Sequence, residues 1–212
     1  MLRRHQLVRL NEGGWTAVRA GAWDDEARAC LSFWAAERQP LVVTQQPARL
    51  PEGHVALGLS APLRWNRRRL AMQVPMSGIL FFDEFPKAAA ITALLPPSLR
   101  SAWAVLASEL TARVYGSYGW QRLTGLDYVH ADSDIDLCVS VDDAASADRV
   151  VAALSEAAQA AFARPRLDGE LVFPDGRAVA WREWLPWREQ RVDRILVKRL
   201  QGVAMERALE PC

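Results

Sequence analysis

Hydrophobic residues over the first ninety positions come in short, irregular bursts. Between residues 22 and 37, Trp23, Ala27, Cys30, Leu31 and Trp34 recur at helical spacing and predict an amphipathic helix. Residues 40–44, 54–59 and 70–74 are short apolar runs of strand length. A short helix is predicted within 85–95, and Pro96-Pro97 then breaks any regular element. The domain boundary is placed there, giving residues 1–95 and 96–212.

The second half alternates more regularly. Ser98 is the predicted N-cap of a helix reaching about Thr111, with Trp103, Leu106 and Leu110 on its apolar face. A small Gly116-Ser117 turn precedes the apolar strand Ile135-Asp136-Leu137-Cys138-Val139-Ser140-Val141. Asp142-Asp143 opens an alanine-rich helix to about Ala163, which Arg164-Pro165 ends. Residues 167–173 and 177–181 flank Pro174-Asp175-Gly176, and residues 194–198 and 203–205 flank Gln201-Gly202. Each pair predicts a hairpin. The fold class is α+β, with a small irregular β-rich N-terminal domain followed by helices, a strand and hairpins.

Composition narrows the chemistry. Half of the 212 residues are hydrophobic, which supports a packed core and argues against global disorder. A net charge of +1 argues against a nucleic-acid partner held by a basic surface. Cys30, Cys138 and Cys212 show no paired spacing, which fits a reducing compartment. The run Leu7-Val8-Arg9-Leu10 is too short and too soon broken for a signal-peptide core. No apolar run approaches the roughly 20 residues that cross a bilayer. The expected location is cytoplasmic, with no membrane partner.

The chemical signal is Asp134-Ile135-Asp136. Side chains at i and i+2 of a strand leave the same face, so these carboxylates share one space. Their repulsion calls for a cation, and an all-oxygen set favours Mg²⁺, with Mn²⁺ able to replace it. Gly116-Ser117 offers backbone N–H groups and a hydroxyl suited to a phosphate. Asp168 and Glu170, one residue apart and on one face with Arg166, are the candidates for a third carboxylate; an exposed strand face is the competing explanation. Lys198, inside an apolar strand, would neutralise a polyphosphate or else guard a sheet edge. Arg64, Arg67, Arg68 and Arg69 would bind phosphate or an acidic partner, or simply be solvated. Trp181, Trp184 and Trp187 fit core packing better than an adenine-binding wall.

Gly116-Ser117, the Asp134/Asp136 pair and a later acidic strand together resemble the nucleotidyltransferases with a polymerase-β-like catalytic fold. Within that superfamily the chain is similar to the malonate decarboxylase holo-acyl-carrier-protein synthases, also called phosphoribosyl-dephospho-CoA transferases. The similarity rests on Gly116-Ser117-Tyr118-Gly119-Trp120-Gln121 with Leu123-Thr124-Gly125, on Ser133-Asp134-Ile135-Asp136-Leu137, and on Asp168-Gly169-Glu170 with Pro174-Asp175-Gly176. It implies a catalytic domain with a mixed sheet flanked by helices. The donor would be 2′-(5″-triphosphoribosyl)-3′-dephospho-CoA, and the acceptor a serine on the apo acyl-carrier subunit of malonate decarboxylase. Pyrophosphate would leave, with Asp134 and Asp136 holding Mg²⁺ and Gly116 and Ser117 cradling phosphates. Asp168 or Glu170 would complete the metal site or act as base. Lys198 stays a candidate phosphate contact on its own strand position alone, and Arg38 and Arg64 in the first domain would help bind donor or carrier. Two rivals stand beside this expectation: a nucleotidyltransferase that adenylylates a small molecule or a protein, and a non-catalytic binding protein on the same fold.

Overall fold

The computed structural model describes residues 2–209 and divides into two compact units. Of the described residues, 2–84 with 200–202 form the first, and 85–199 with 203–209 the second. The division falls at 84/85, not at the Pro96-Pro97 pair. Residues between these points belong to the second unit because Ala88, Ile91 and Leu95 are buried in its core. Trp103 ties them down by donating its indole N–H to the Ala88 carbonyl at 3.0 Å. The short helix expected within 85–95 is a 3-10 helix over Ala88–Leu94.

The first unit is built on an antiparallel sheet, β1 (Gln6–Leu10), β2 (Leu41–Val43), β3 (His54–Ser60), β4 (Arg69–Pro75) and β5 (Ile79–Glu84), in the order β4-β3-β2-β1-β5. Two helices, α1 (Glu12–Arg19) and α2 (Asp25–Ala36), accompany it. The helix expected over 22–37 is α2, started by the Asp24 side chain accepting from the Ala27 amide at 2.9 Å. β1, α1 and β5 were not anticipated. Arg9 looked like a break in an apolar run, yet it is the outward residue of β1 and meets Asp83 of β5 at 3.4 Å. Gly14 lets α1 lie against Gly78, because a Cβ there would collide with the Gly78 carbonyl oxygen.

The second unit carries a mixed sheet in the order β11-β10-β9-β8-β7-β6. Its elements are α3 (Arg100–Glu109), β6 (Ala112–Tyr115), α4 (Gly116–Thr124), β7 (Ile135–Ser140), α5 (Ala144–Ala160), β8 (Leu167–Val172), β9 (Ala178–Ala180), α6 (Trp181–Arg188), β10 (Ile195–Lys198) and β11 (Val203–Glu206). Among the described residues only the β7–β8 pair is parallel, with α5 as its crossover. Ser98 does not cap α3; it lies in a 3-10 turn over Pro97–Leu99, and α3 has no side-chain cap. α5 is capped as its sequence suggested, with Asp143 and Ser146 forming a reciprocal box. Both hairpins form, β8–β9 and β10–β11. Residue 181, expected at the end of a strand, instead opens α6. Trp181 and Trp184 are buried in the core, as packing residues should be.

Alternation along β7 sets the position of the site. Ile135, Leu137 and Val139 are almost wholly buried in the core with Trp103, Leu154 and Trp184. Asp134, Asp136 and Cys138 occupy the opposite, half-buried face. Among the described residues no helix is long and apolar enough to cross a membrane.

Candidate active site

The parallel register of β7 and β8 sets Asp136 beside Asp168 and Cys138 beside Glu170, and Tyr115 of β6 lies opposite Asp136. Asp134, Asp136, Asp168 and Glu170 are therefore gathered on one side of adjacent strands. Gly116 and Ser117 arrive there too, though on a different element from the one expected. They are the first turn of α4, which begins directly after β6. No side chain caps that helix, so its leading backbone N–H groups are left for another acceptor. Gly116 has φ +59°, and a Cβ added to it would overlap Asp136 Oδ2. Glycine is thus required on two counts, backbone conformation and space for the carboxylate.

The acids differ in their partners. Asp134 Oδ2 accepts from Arg166 Nη2 at 2.7 Å, and the same nitrogen lies 3.7 Å from Asp168 Oδ2. Asp168 Oδ1 also accepts from the Gly169 amide at 2.8 Å. Glu170 is 3% exposed and holds Lys198 Nζ at 2.7 Å. Lys198 reaches it across β9, where the intervening residues are Ala178 and Ala180. Asp136 stands apart, with no hydrogen bond and no ion pair among the described residues. Burial first, and then the charges of Asp168, Asp134 and Glu170, push its pKa up to about 6, with Arg166 pulling the other way. Burial, followed by Glu170 and Asp136, also raises the Tyr115 hydroxyl, so this side chain stays protonated beside the acids.

In the sequence Arg166 stands out only as a companion of Asp168, and Tyr115 does not stand out at all. Period-two alternation was the available signal for both: Arg166, Asp168 and Glu170 on one strand, and Ala112-Arg113-Val114-Tyr115 just before Gly116. Arg38 and Arg64 belong to the first unit. Arg38 has φ +50° and its carbonyl accepts from Arg9, while the Arg64 guanidinium sits 4.7 Å from the Phe33 ring centroid and 4.1 Å from that of Trp65. Asp132 closes the loop ahead of β7, meeting Arg164 at 3.0 Å.

Among the described residues, no three acidic, histidine or cysteine side chains gather into a group that could hold a metal ion by themselves. Asp134 and Asp136 would supply part of a Mg²⁺ shell, leaving positions for phosphate oxygens and water. That is the usual arrangement where Mg²⁺ serves a polyphosphate.

Two substitutions probe this geometry. Gly116→Ala is expected to lower stability by about 1–3 kcal/mol and to displace Asp136, measured as a fall in thermal midpoint together with lost activity. An unchanged midpoint with full activity would show that the Gly116–Asp136 contact is not as tight as described. Asp136→Asn is expected to stabilise the protein in EDTA. A carboxyl whose folded pKa is raised from 3.8 to about 6 ionises more readily unfolded than folded, so wild-type stability falls as pH rises through that window. Asparagine removes the penalty, worth about 3 kcal/mol above pH 7. The gap should close below about pH 4. Equal melting curves at pH 7.5 would refute the strained carboxylate.

Comparison with known proteins follows the same division of the chain. A family model described as the phosphoribosyl-dephospho-CoA transferase MdcG C-terminal domain matches residues 86–208, and one described as the N-terminal domain matches residues 3–85. A phosphoribosyl-dephospho-CoA transferase of Bradyrhizobium diazoefficiens is 37% identical over 85% of this chain and 80% of its own length. A protein of the same name from Xanthomonas campestris pv. campestris is 34% identical over 95% of this chain and 92% of its own. No solved structure matches.

Proposed function

The chain belongs to the phosphoribosyl-dephospho-CoA transferase family and is an enzyme, and from that premise we propose how its second unit works. It takes 2′-(5″-triphosphoribosyl)-3′-dephospho-CoA as donor and a serine of the apo acyl-carrier subunit of malonate decarboxylase as acceptor. The serine oxygen bonds to the α-phosphorus, the bond from that phosphorus to the bridging oxygen breaks, and pyrophosphate leaves. The observation that carries this reading is Asp136: a half-buried carboxylate with no ion-pair partner, set against an uncapped helix N-terminus.

Each residue then has a defined task. Asp134 and Asp136 would hold Mg²⁺, or Mn²⁺ in its place, which would supply positive charge to the phosphates and to the pyrophosphate leaving group. The first-turn N–H groups of α4 and the Ser117 hydroxyl receive the β- and γ-phosphates. Asp168, rather than Glu170, receives the serine proton or completes the metal shell. Its side chain is 38% exposed, whereas the Glu170 side chain is 4% exposed and committed to Lys198. Tyr115, held protonated, adds no further anion to the acids around Asp136. The first unit, with Arg38 and Arg64, contributes recognition of donor or carrier.

The test is to incubate the full-length protein with Mg²⁺, apo carrier subunit, and either the triphosphoribosyl donor or ATP, and to weigh the intact carrier. A mass gain with the donor alone is expected. A gain with ATP alone would assign the site to adenylylation, and no gain with either would favour a binding protein.

A further inference from the structure

Four carboxylates gather on this face, and two of the cations that meet them, Lys198 and Arg166, are held very differently. Lys198 is spent on Glu170, whose side chain is 4% exposed. Arg166 is looser, with a side chain 55% exposed. Its backbone is nevertheless anchored, because the Ile135 amide donates to the Arg166 carbonyl at 2.9 Å and keeps the residue alongside Asp134. From there the guanidinium reaches both Asp134 and Asp168. Asp136 meanwhile has no ion-pair partner among the described residues.

A guanidinium already bonded to Asp134 Oδ2 repels a divalent ion that approaches the same carboxylate. A metal arriving alone weakens the Arg166–Asp134 pair and gives nothing back to the competing cation. A metal arriving with a polyphosphate brings the planar guanidinium a new acceptor of matching geometry. The long arginine side chain can make that exchange while the anchored backbone stays in place.

We propose that Arg166 is a place-holding cation, occupying Asp134 and Asp168 until the metal comes with the triphosphate, and then turning onto a phosphate oxygen. The inference rests on the metal reading of Asp134 and Asp136 given above. It makes metal and donor bind interdependently, each favouring the other through one side chain. It also discourages the empty site from accumulating divalent ions without substrate.

The experiment is a Mn²⁺ titration of the full-length protein followed by electron paramagnetic resonance of the free ion, with and without pyrophosphate. Wild type is compared with Arg166→Gln, Arg166→Lys and Asp134→Asn, each checked for a cooperative thermal transition. Without pyrophosphate, Arg166→Gln is expected to bind Mn²⁺ about three- to tenfold more tightly than wild type, as loss of one partly exposed competing pair allows. Arg166→Lys, which keeps the charge without the fork, falls between them and serves should the glutamine variant not fold. With pyrophosphate present the order reverses, because glutamine offers no cation to the phosphate. Equal or weaker Mn²⁺ binding by Arg166→Gln in the absence of pyrophosphate would overturn the place-holder while leaving the metal pair standing. Wild-type Mn²⁺ binding that survives Asp134→Asn unchanged, or no Mn²⁺ binding by wild type even with pyrophosphate, would overturn the metal pair and the place-holder with it.

Discussion

Alanine at Asp134 or at Asp136 abolishes transfer, by about three orders of magnitude or more, and leaves a folded protein. The size follows from what each carboxylate is asked to do. Charge on the transferring phosphoryl group and on the leaving pyrophosphate must be neutralised as it shifts, and removal of one anchor for the divalent ion withdraws that neutralisation in the transition state. Folding should survive because neither side chain contributes to the core. The strand is held by Ile135, Leu137 and Val139 on its other face. Asp136→Ala even relieves an anion that burial and three neighbouring carboxylates disfavour. The two variants differ in one respect: Asp134→Ala deprives Arg166 of its closest partner, while Asp136→Ala leaves that pair intact. Mass analysis of the carrier, with thermal melts of each variant, checks both halves. Either variant transferring at more than a few per cent of wild-type rate would remove that carboxylate from the proposed site.

The legible part of this site was the part written along one strand. Asp134 and Asp136 declare themselves because alternation with Ile135, Leu137 and Val139 leaves only one direction for them to face. Asp168 and Glu170 could be put on a common face for the same reason, but not beside Asp136. That placement depends on the β7–β8 register, a long-range pairing that no local pattern encodes. The same holds for Lys198, whose partner lies two strands away across a pair of alanines. In the sequence Gly116-Ser117 reads as a phosphate-binding pair on a turn, whereas the fold places it in the first turn of α4. Gly116 and Gly119 depress local helix propensity, and α4 exists because it packs against β6, where a Cβ on Gly119 would strike the Val114 carbonyl. β1 and β5 escaped notice for a related reason. Arg9 and Asp83 interrupt apolar runs in the sequence but satisfy one another across the sheet.

Lys198→Met should lower stability by about 3 kcal/mol, since it leaves the Glu170 carboxylate buried without its cation. The double variant Lys198→Met/Glu170→Leu should recover most of that loss, because it removes both charges instead of stranding one. The pair of measurements also decides what Lys198 is for. A lysine in an apolar strand was a natural candidate for a triphosphate contact, yet its ammonium lies 2.7 Å from Glu170 and only 28% of its side chain is exposed. An ammonium held that closely has little freedom to follow a phosphate, so the work expected of Lys198 is to neutralise Glu170 and temper the third of the carboxylate charges that act on Asp136. Thermal midpoints in EDTA read the structural effect, and KM for the donor reads the other. Recovery of stability with an unchanged KM is the expected outcome. Recovery of stability with a KM that stays raised tenfold or more would return Lys198 to the triphosphate, because the double variant no longer contains the charge imbalance that could raise KM indirectly.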